Sequence, residues 1–168
     1  TRARHASHTV VRESDRRPDP RTLFDGYGQS KWVAEELVES AAARGIPVVT
    51  YRPSQIIGHS RTGAASLDDF VPSFIRGCLQ VGCIPDAVVD NQLYLTPVDY
   101  VSRSIVAISK RKDVFGRVFN LTSAHSTPLQ ELLEHLLAFD PAMQRVSYET
   151  WKARLSADPD NALARFLG

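Results

Sequence analysis

The chain has 168 residues, of which 43% are hydrophobic and 23% charged, so its composition fits one globular domain and excludes disordered, collagen-like and disulfide-scaffold proteins. Twenty basic and nineteen acidic residues leave a formal net charge of +1, which gives no reason to expect nucleic acid or an anionic membrane as a partner. No apolar run approaches the roughly 20 residues that a membrane-spanning helix needs. Cys78 and Cys83 match no metal-ligand spacing, and we interpret them as reduced core thiols of a cytoplasmic protein.

The N-terminal segment, residues 1–24, is rich in arginine, aspartate and proline. It predicts irregular structure with one short strand near Thr9. The glycine-rich phosphate loop that opens many nucleotide-binding α/β domains does not occur in this sequence.

A long helix is predicted from Asp25, with a C-terminal cap at Gly45. Its glutamates fall on one face, and another face carries apolar residues, namely Trp32, Val33, Leu37 and Val38.

Strands and helices alternate over the rest of the chain. Further helices are predicted from Ser66 (a capping box with Asp69), from Val98 (after a Thr96-Pro97 cap) and from Leu129 (after a Thr127-Pro128 cap). Asp99 is then an acid in the first turn of its helix, where it favours the helix dipole. Residues 54–65 predict a loop, and short strands are predicted at 46–51, 92–95, 118–121 and 146–148. This order predicts an α/β fold with parallel strands and a helix-rich C-terminal part.

Tyr27 and Lys31 form the sharpest candidate pair for chemistry. Their four-residue spacing near a helix start places both side chains on one face. The pKa of a free phenol lies near 10, and a cation held close to a phenol lowers it. Such a phenol can protonate a developing alkoxide, and the ammonium can bind the hydroxyls of a ribose.

The motifs around this pair resemble the extended short-chain dehydrogenase/reductases. They are GYGQSK at 26–31, GIPVVTYRPSQIIG at 45–58, PVDYV at 97–101 and VFNL at 118–121. Within that superfamily the run 26–35 is most similar to thioester reductase domains, which end nonribosomal peptide synthetases, some polyketide synthases and carboxylic acid reductases. The resemblance implies a partial Rossmann-like parallel sheet with a helical substrate-side subdomain. The expected parts are 1–24 (irregular), 25–126 (catalytic helix and substrate loop) and 127–168 (substrate side).

The resemblance also implies roles for individual residues. Tyr27 is the expected general acid, and Lys31 is its neighbouring cation and holds the nicotinamide ribose. The cofactor pocket is expected to include Arg52, Pro53 and Ser54. The loop 55–65 is expected to shape the acyl pocket and the phosphopantetheine channel, with Gln55, Ile57 and His59 facing the substrate.

The sequence departs from the family pattern in two ways. The third catalytic member, a Ser or Thr that polarises the carbonyl, has only Ser7 and Thr9 as candidates, in a loosely matching run. Because the phosphate loop is missing as well, we expect the chain to be the C-terminal portion of a longer reductase domain and to bind NADP(H) poorly alone.

Three functions follow as hypotheses. The first is an NADPH-dependent reductase that releases an acyl thioester from a phosphopantetheine-bearing carrier protein as an aldehyde or alcohol. The second keeps the Tyr–Lys pair but acts as a nucleotide-sugar epimerase or carbonyl reductase. The third is a non-catalytic module that docks a carrier protein.

Overall fold

The computed structural model describes residues 11–15, 17–23, 25–86 and 91–166. Ser7, Thr9 and the strand predicted near Thr9 therefore lie outside the described residues. The chain divides into two compact units. Unit 1 comprises Thr1–Pro53 and Ser102–Leu121, and unit 2 comprises Ser54–Val101 and Thr122–Gly168.

The described residues form five α-helices and eight short strands. The helices are α1 (Gly26–Ala43), α2 (Phe70–Val81), α3 (Val98–Ser109), α4 (Leu129–Phe139) and α5 (Tyr148–Ser156). The strands are β1 (Thr50–Pro53), β2 (Gln55–Ile57), β3 (Cys83–Pro85), β4 (Gln92–Leu93), β5 (Leu95–Pro97), β6 (Val118–Leu121), β7 (Thr127–Pro128) and β8 (Gln144–Val146).

Strand pairing confirms the predicted α/β class with parallel strands. In unit 1, β1 pairs with β6 in parallel, with Arg52 opposite Asn120. In unit 2, β2 pairs with β5 and β3 pairs with β8, both in parallel, whereas β4 and β7 are antiparallel. The prediction of a loop from residue 54 was wrong for β2, because the partner of that strand lies some forty residues away and leaves no local signal.

Both predicted ends of α1 are confirmed. The side chain of Asp25 accepts a hydrogen bond from the backbone N–H of Gly28, which satisfies one of the orphan donors of the first turn. At the other end Gly45 has a φ of +87°, and the N–H of Ile46 donates to the carbonyl of Ala41 at 3.2 Å. This is a Schellman ending, in which the left-handed residue is a glycine because it carries no Cβ.

Of the three other predicted helix starts, those at Val98 and Leu129 are confirmed, whereas the start at Ser66 was wrong. The capping motifs predicted for these helices also differ from the structure. Helix α2 begins at Phe70 rather than at Ser66, and its N-cap residue Asp69 makes no side-chain cap. Thr96 lies in β5 and is fully buried there, and its hydroxyl contacts Ser54 and Ser123. Thr127 and Pro128 form β7, after which α4 begins. For Thr96 and for Thr127–Pro128, strand pairing with a distant segment outweighs the local capping motif.

Unit 2 holds the larger core. Apolar side chains of α2, β3, α4 and α5 pack there, including Phe74, Ile84, Leu133, Trp151 and Leu155. Cys78 and Cys83 are both fully buried and free, which confirms their interpretation as reduced core thiols. Helices α4 and α5 give the C-terminal part its predicted helical character.

The apolar face predicted on α1 is not covered within unit 1. Val33 is 51% exposed and Leu37 67%, and Gly28 is the buried residue of the helix. Amphipathic spacing marks a face suited to burial but does not supply the surface that buries it. Every helix in the described part of the chain is either too short or too polar to span a membrane.

Candidate functional site

Tyr27 and Lys31 share one accessible face of α1, as their spacing predicted. The ammonium nitrogen of Lys31 lies 5.3 Å from the centroid of the Tyr27 ring, within cation–π distance. Tyr27 is 72% exposed, so its hydroxyl is open to a ligand. The Asp25 cap fixes the helical turn that carries both residues.

The segment before α1 packs against a side of the helix other than the one that carries Tyr27 and Lys31. The guanidinium of Arg17 contacts the carboxylates of Glu36 and Glu39 and lies 5.3 Å from the centroid of the Trp32 ring. The indole N–H of Trp32 donates to the carbonyl of Pro18 at 2.9 Å. These contacts hold the helix from the side that does not carry Tyr27 and Lys31.

Arg52 reaches from β1 to the same stripe of α1. Its Nε lies 2.5 Å from Oε1 of Glu35, one turn beyond Lys31, and the two side chains are 25% and 23% exposed. Arg52 was predicted to face the cofactor. The structure places its guanidinium on Glu35, a tertiary contact that the sequence pattern did not reveal.

Glu13 is a second carboxylate near Arg52 in unit 1. Hydrogen bonds from its own backbone N–H and from that of Asn120 lower the pKa of Glu13, and the charges of Arg52 and Arg117 lower it further. The amide of Asn120 also donates to the carbonyl of Val11 at 3.3 Å. Residues 11–13 therefore lie along the strand that pairs with β1.

The hydroxyl of Ser54, the first residue of unit 2, makes its contact within that unit. Its Oγ lies 2.6 Å from Oγ1 of buried Thr96, which also accepts a hydrogen bond from the backbone N–H of Ser123 at 3.1 Å. Pro53, immediately before Ser54, is exposed at the end of β1. The hydroxyl predicted to help hold the cofactor thus ties β2 to β5 in this structure.

The predicted substrate residues lie on β2 and the tight loop after it. Gln55 and Ile57 are half-buried in β2. His59 accepts a hydrogen bond at Nδ1 from the backbone N–H of Arg61 at 3.1 Å, which places the proton of the neutral ring on Nε2. The same loop is anchored by Asp99, which accepts from both the backbone N–H and the hydroxyl of Ser60. Asp99 was predicted only to favour the helix dipole, and this anchoring role had no sequence signal.

The Tyr27–Lys31 pair places an exposed phenol beside an ammonium on one face of α1. A phenol with an ammonium beside it can give a proton to an oxygen that gains negative charge. The ammonium offers three N–H donors to vicinal hydroxyls. Among the described residues no group of three or more metal-ligating side chains comes together.

Comparison with known proteins points to reductases. The NAD-binding family model described as male sterility protein matches residues 3–105. A nonribosomal peptide synthetase of Aspergillus hancockii is 34% identical over 84% of this chain and 14% of its own length. The L-2-aminoadipate reductase large subunit of Eremothecium gossypii is 35% identical over 86% of this chain and 11% of its own length. The chain therefore spans a seventh or less of these relatives.

A solved structure supports the same relationship. The crystal structure of the terminal R domain from the myxalamid PKS-NRPS biosynthetic pathway is 39% identical and superposes with a TM-score of 0.83. It covers 96% of this chain, and the chain covers 41% of that structure. This similarity confirms the Rossmann-like α/β architecture and its partial extent.

Proposed function

The chain belongs to the NAD-binding family described as male sterility protein, and from this membership we propose that it is the catalytic-helix portion of an NADPH-dependent thioester reductase. The substrate is an acyl group held as a thioester on the phosphopantetheine arm of a carrier protein. The observation that carries the proposal is the exposed Tyr27 phenol with the Lys31 ammonium 5.3 Å from its ring. The similarity to reductases and to a terminal R domain supports the same reaction class.

The bound cofactor would supply the hydride and so carries the redox chemistry. Hydride addition to the thioester carbonyl would put negative charge on its oxygen, and in this proposal Tyr27 donates its phenolic proton to that oxygen. The resulting hemithioacetal would break its C–S bond as its hydroxyl proton passes to sulfur, so that the pantetheine thiol leaves and an aldehyde remains, and the Tyr27 phenolate would regain its proton from solvent. Stabilising the developing charge is the step in which a preorganised donor contributes most.

Lys31 binds the nicotinamide ribose and stays beside the phenol. Pro53 and Ser54 belong to the cofactor pocket in this proposal. Gln55, Ile57 and His59 belong to the substrate side, and the third donor comes from Ser7 or Thr9. In this proposal residues 25–126 form the catalytic helix and the substrate loop, and residues 127–168 form the substrate-side part.

The uncovered apolar face of α1 supports the proposal that a further part of the reductase domain buries this helix. Val33 and Leu37 present apolar surface on a helix that unit 1 does not bury. Apolar side chains four residues apart on a helix form one surface that can pack against another protein segment. We propose that the remainder of the reductase domain covers it.

The decisive experiment is a substrate comparison with the full-length protein that contains this chain. Acyl-pantetheine thioesters, free aldehydes, ketones and nucleotide sugars are supplied separately with NADPH or NADH, and NAD(P)H oxidation and thiol release are followed. We expect thiol release in proportion to NADPH consumed with the thioester. Turnover of a nucleotide sugar or ketone without thioester turnover contradicts the proposal, and so does binding of a carrier protein without any cofactor binding.

A further inference from the structure

One stripe of α1 carries three charged or polar groups that bear on the proposed reaction. Tyr27, Lys31 and Glu35 follow one another at four-residue spacing, so their side chains lie along one face. A carboxylate and an ammonium four residues apart on a helix attract each other. Glu35 is therefore a natural competitor for the ammonium that the proposed function needs beside Tyr27.

In the structure Glu35 contacts a residue from another element rather than Lys31. Arg52 of β1 holds Glu35 with a charge-assisted contact of 2.5 Å between Nε and Oε1, and both side chains are largely shielded from solvent. Lys31 lies instead over the Tyr27 ring. Within the described part of the chain, no carboxylate lies within ion-pair distance of Lys31.

We propose that Arg52 is a positioning residue that neutralises Glu35 and thereby keeps the Lys31 ammonium available to the cofactor ribose and to Tyr27. The inference rests on the proposed function, and it replaces direct cofactor contact as the role of Arg52. A guanidinium suits this task because it stays charged at all physiological pH values and its planar fork matches a carboxylate.

The surroundings of Arg52 strengthen the argument. The charge of Arg52 also acts on Glu13, whose pKa it helps to lower, so a single cation faces two carboxylates. If Arg52 is removed, Glu13 and Glu35 both lose the positive charge of its guanidinium. Glu35 can then attract Lys31, which lies on the same face of α1. Removing Glu35 takes away the competitor itself. The two substitutions should therefore have unequal effects on cofactor binding.

The test compares Arg52→Met, Glu35→Gln and the double variant in the full-length protein, with NADPH dissociation constants and kcat measured for each. We expect Arg52→Met to weaken NADPH binding by about fivefold and to lower kcat, because Glu35 captures Lys31. Glu35→Gln should stay within about twofold of wild type, and the double variant should recover most of the loss. A purely structural ion pair predicts equal losses from both single variants, and that result overturns the proposal.

Two controls make every outcome informative. Tyr27→Phe tests the proposed function itself: if it is as active as wild type, the reductase assignment fails, whereas an inactive Tyr27→Phe with an unaffected Arg52→Met overturns the positioning role alone. Arg52→Gln keeps a hydrogen-bond donor without the charge and replaces Arg52→Met if the latter does not fold. Loss of the fold in both Arg52 variants, with Glu35→Gln folded, also overturns the proposal.

Discussion

The carboxylate of Asp99 accepts two hydrogen bonds from Ser60, one from the backbone N–H at 2.9 Å and one from the hydroxyl at 3.0 Å. Asp99 lies in the first turn of α3 and is 8% exposed, whereas Ser60 follows β2. Backbone bonds between His59 and Ala64 and between Gly63 and His59 tighten the loop. The loop that is proposed to face the substrate is thus held by a helix that begins far along the chain.

We expect Asp99→Ala to loosen this loop and to lower the free energy of unfolding by about 1 to 3 kcal/mol, because two charge-assisted hydrogen bonds are lost from a buried site. Arg61 is exposed within the loop, so limited trypsin digestion should cut there faster than in wild type. Asp113→Ala is the matched control, since the Asp113 side chain is 61% exposed and pairs with neighbouring Arg111. Equal digestion rates in both variants and wild type would show that Asp99 does not hold the loop.

Local signals were sufficient for some elements and not for others. The limits of α1 followed from Asp25 and Gly45, because a cap is made by residues within one turn of the helix end. Strand β2 pairs with β5, which contains Thr96, and the two strands are about forty residues apart in the sequence. A short stretch of sequence therefore shows neither strand, because each forms only by pairing with the other. Thr96-Pro97 has the composition of a helix start. The Thr96 hydroxyl instead makes hydrogen bonds with the Ser54 hydroxyl and the backbone N–H of Ser123, both in unit 2.

The candidate site shows the same division. The shared face of Tyr27 and Lys31 follows from helical periodicity alone and is confirmed by their cation–π contact. The contact between Arg52 and Glu35 joins a strand to a helix, so only the folded chain reveals it. The catalytic and cofactor-binding roles of these residues stay predictions.

Tyr27→Phe in the full-length protein removes one hydroxyl from an exposed side chain. We expect kcat with an acyl-pantetheine thioester to fall by roughly 10²-fold or more, because the proton donor is lost, while the melting temperature stays near wild type. Tyr148→Phe is the matched control, since Tyr148 is also an exposed tyrosine on a helix, 45% accessible. A Tyr27→Phe enzyme that turns over like wild type would remove Tyr27 from the mechanism.

Lys31→Ala tests the second member of the pair. We expect both a weaker affinity for NADPH, by about tenfold, and a lower kcat, because one ammonium serves the ribose and the phenol together. Cofactor affinity is measured by titration of NADPH fluorescence and kcat by thiol release. Lys152→Ala, which removes an exposed lysine of α5, should change neither quantity. Unchanged NADPH affinity in Lys31→Ala would exclude a ribose-binding role.

Cys78 is expected to make the free energy of unfolding depend on pH, and this dependence can be measured without an activity assay. Burial raises the pKa of its thiol to about 11 from an ordinary value of 9.0. Well below pH 9 the thiol is protonated in both the folded and the unfolded chain, so it exerts almost no pH effect there. Between pH 9 and 11 the unfolded chain releases the proton and the folded chain keeps it, so stability falls as pH rises.

From pH 8 to pH 10 this thiol should cost about 1 kcal/mol of the free energy of unfolding. Cys78→Ala lacks the titrating group, so its stability should decline less over the same interval, even though the cavity lowers its stability at both pH values. Urea unfolding of the wild type and the variant at the two pH values measures the difference, and other groups that titrate cancel in the comparison. Identical declines in the two proteins would mean that the folded chain ionises Cys78 as readily as the unfolded one.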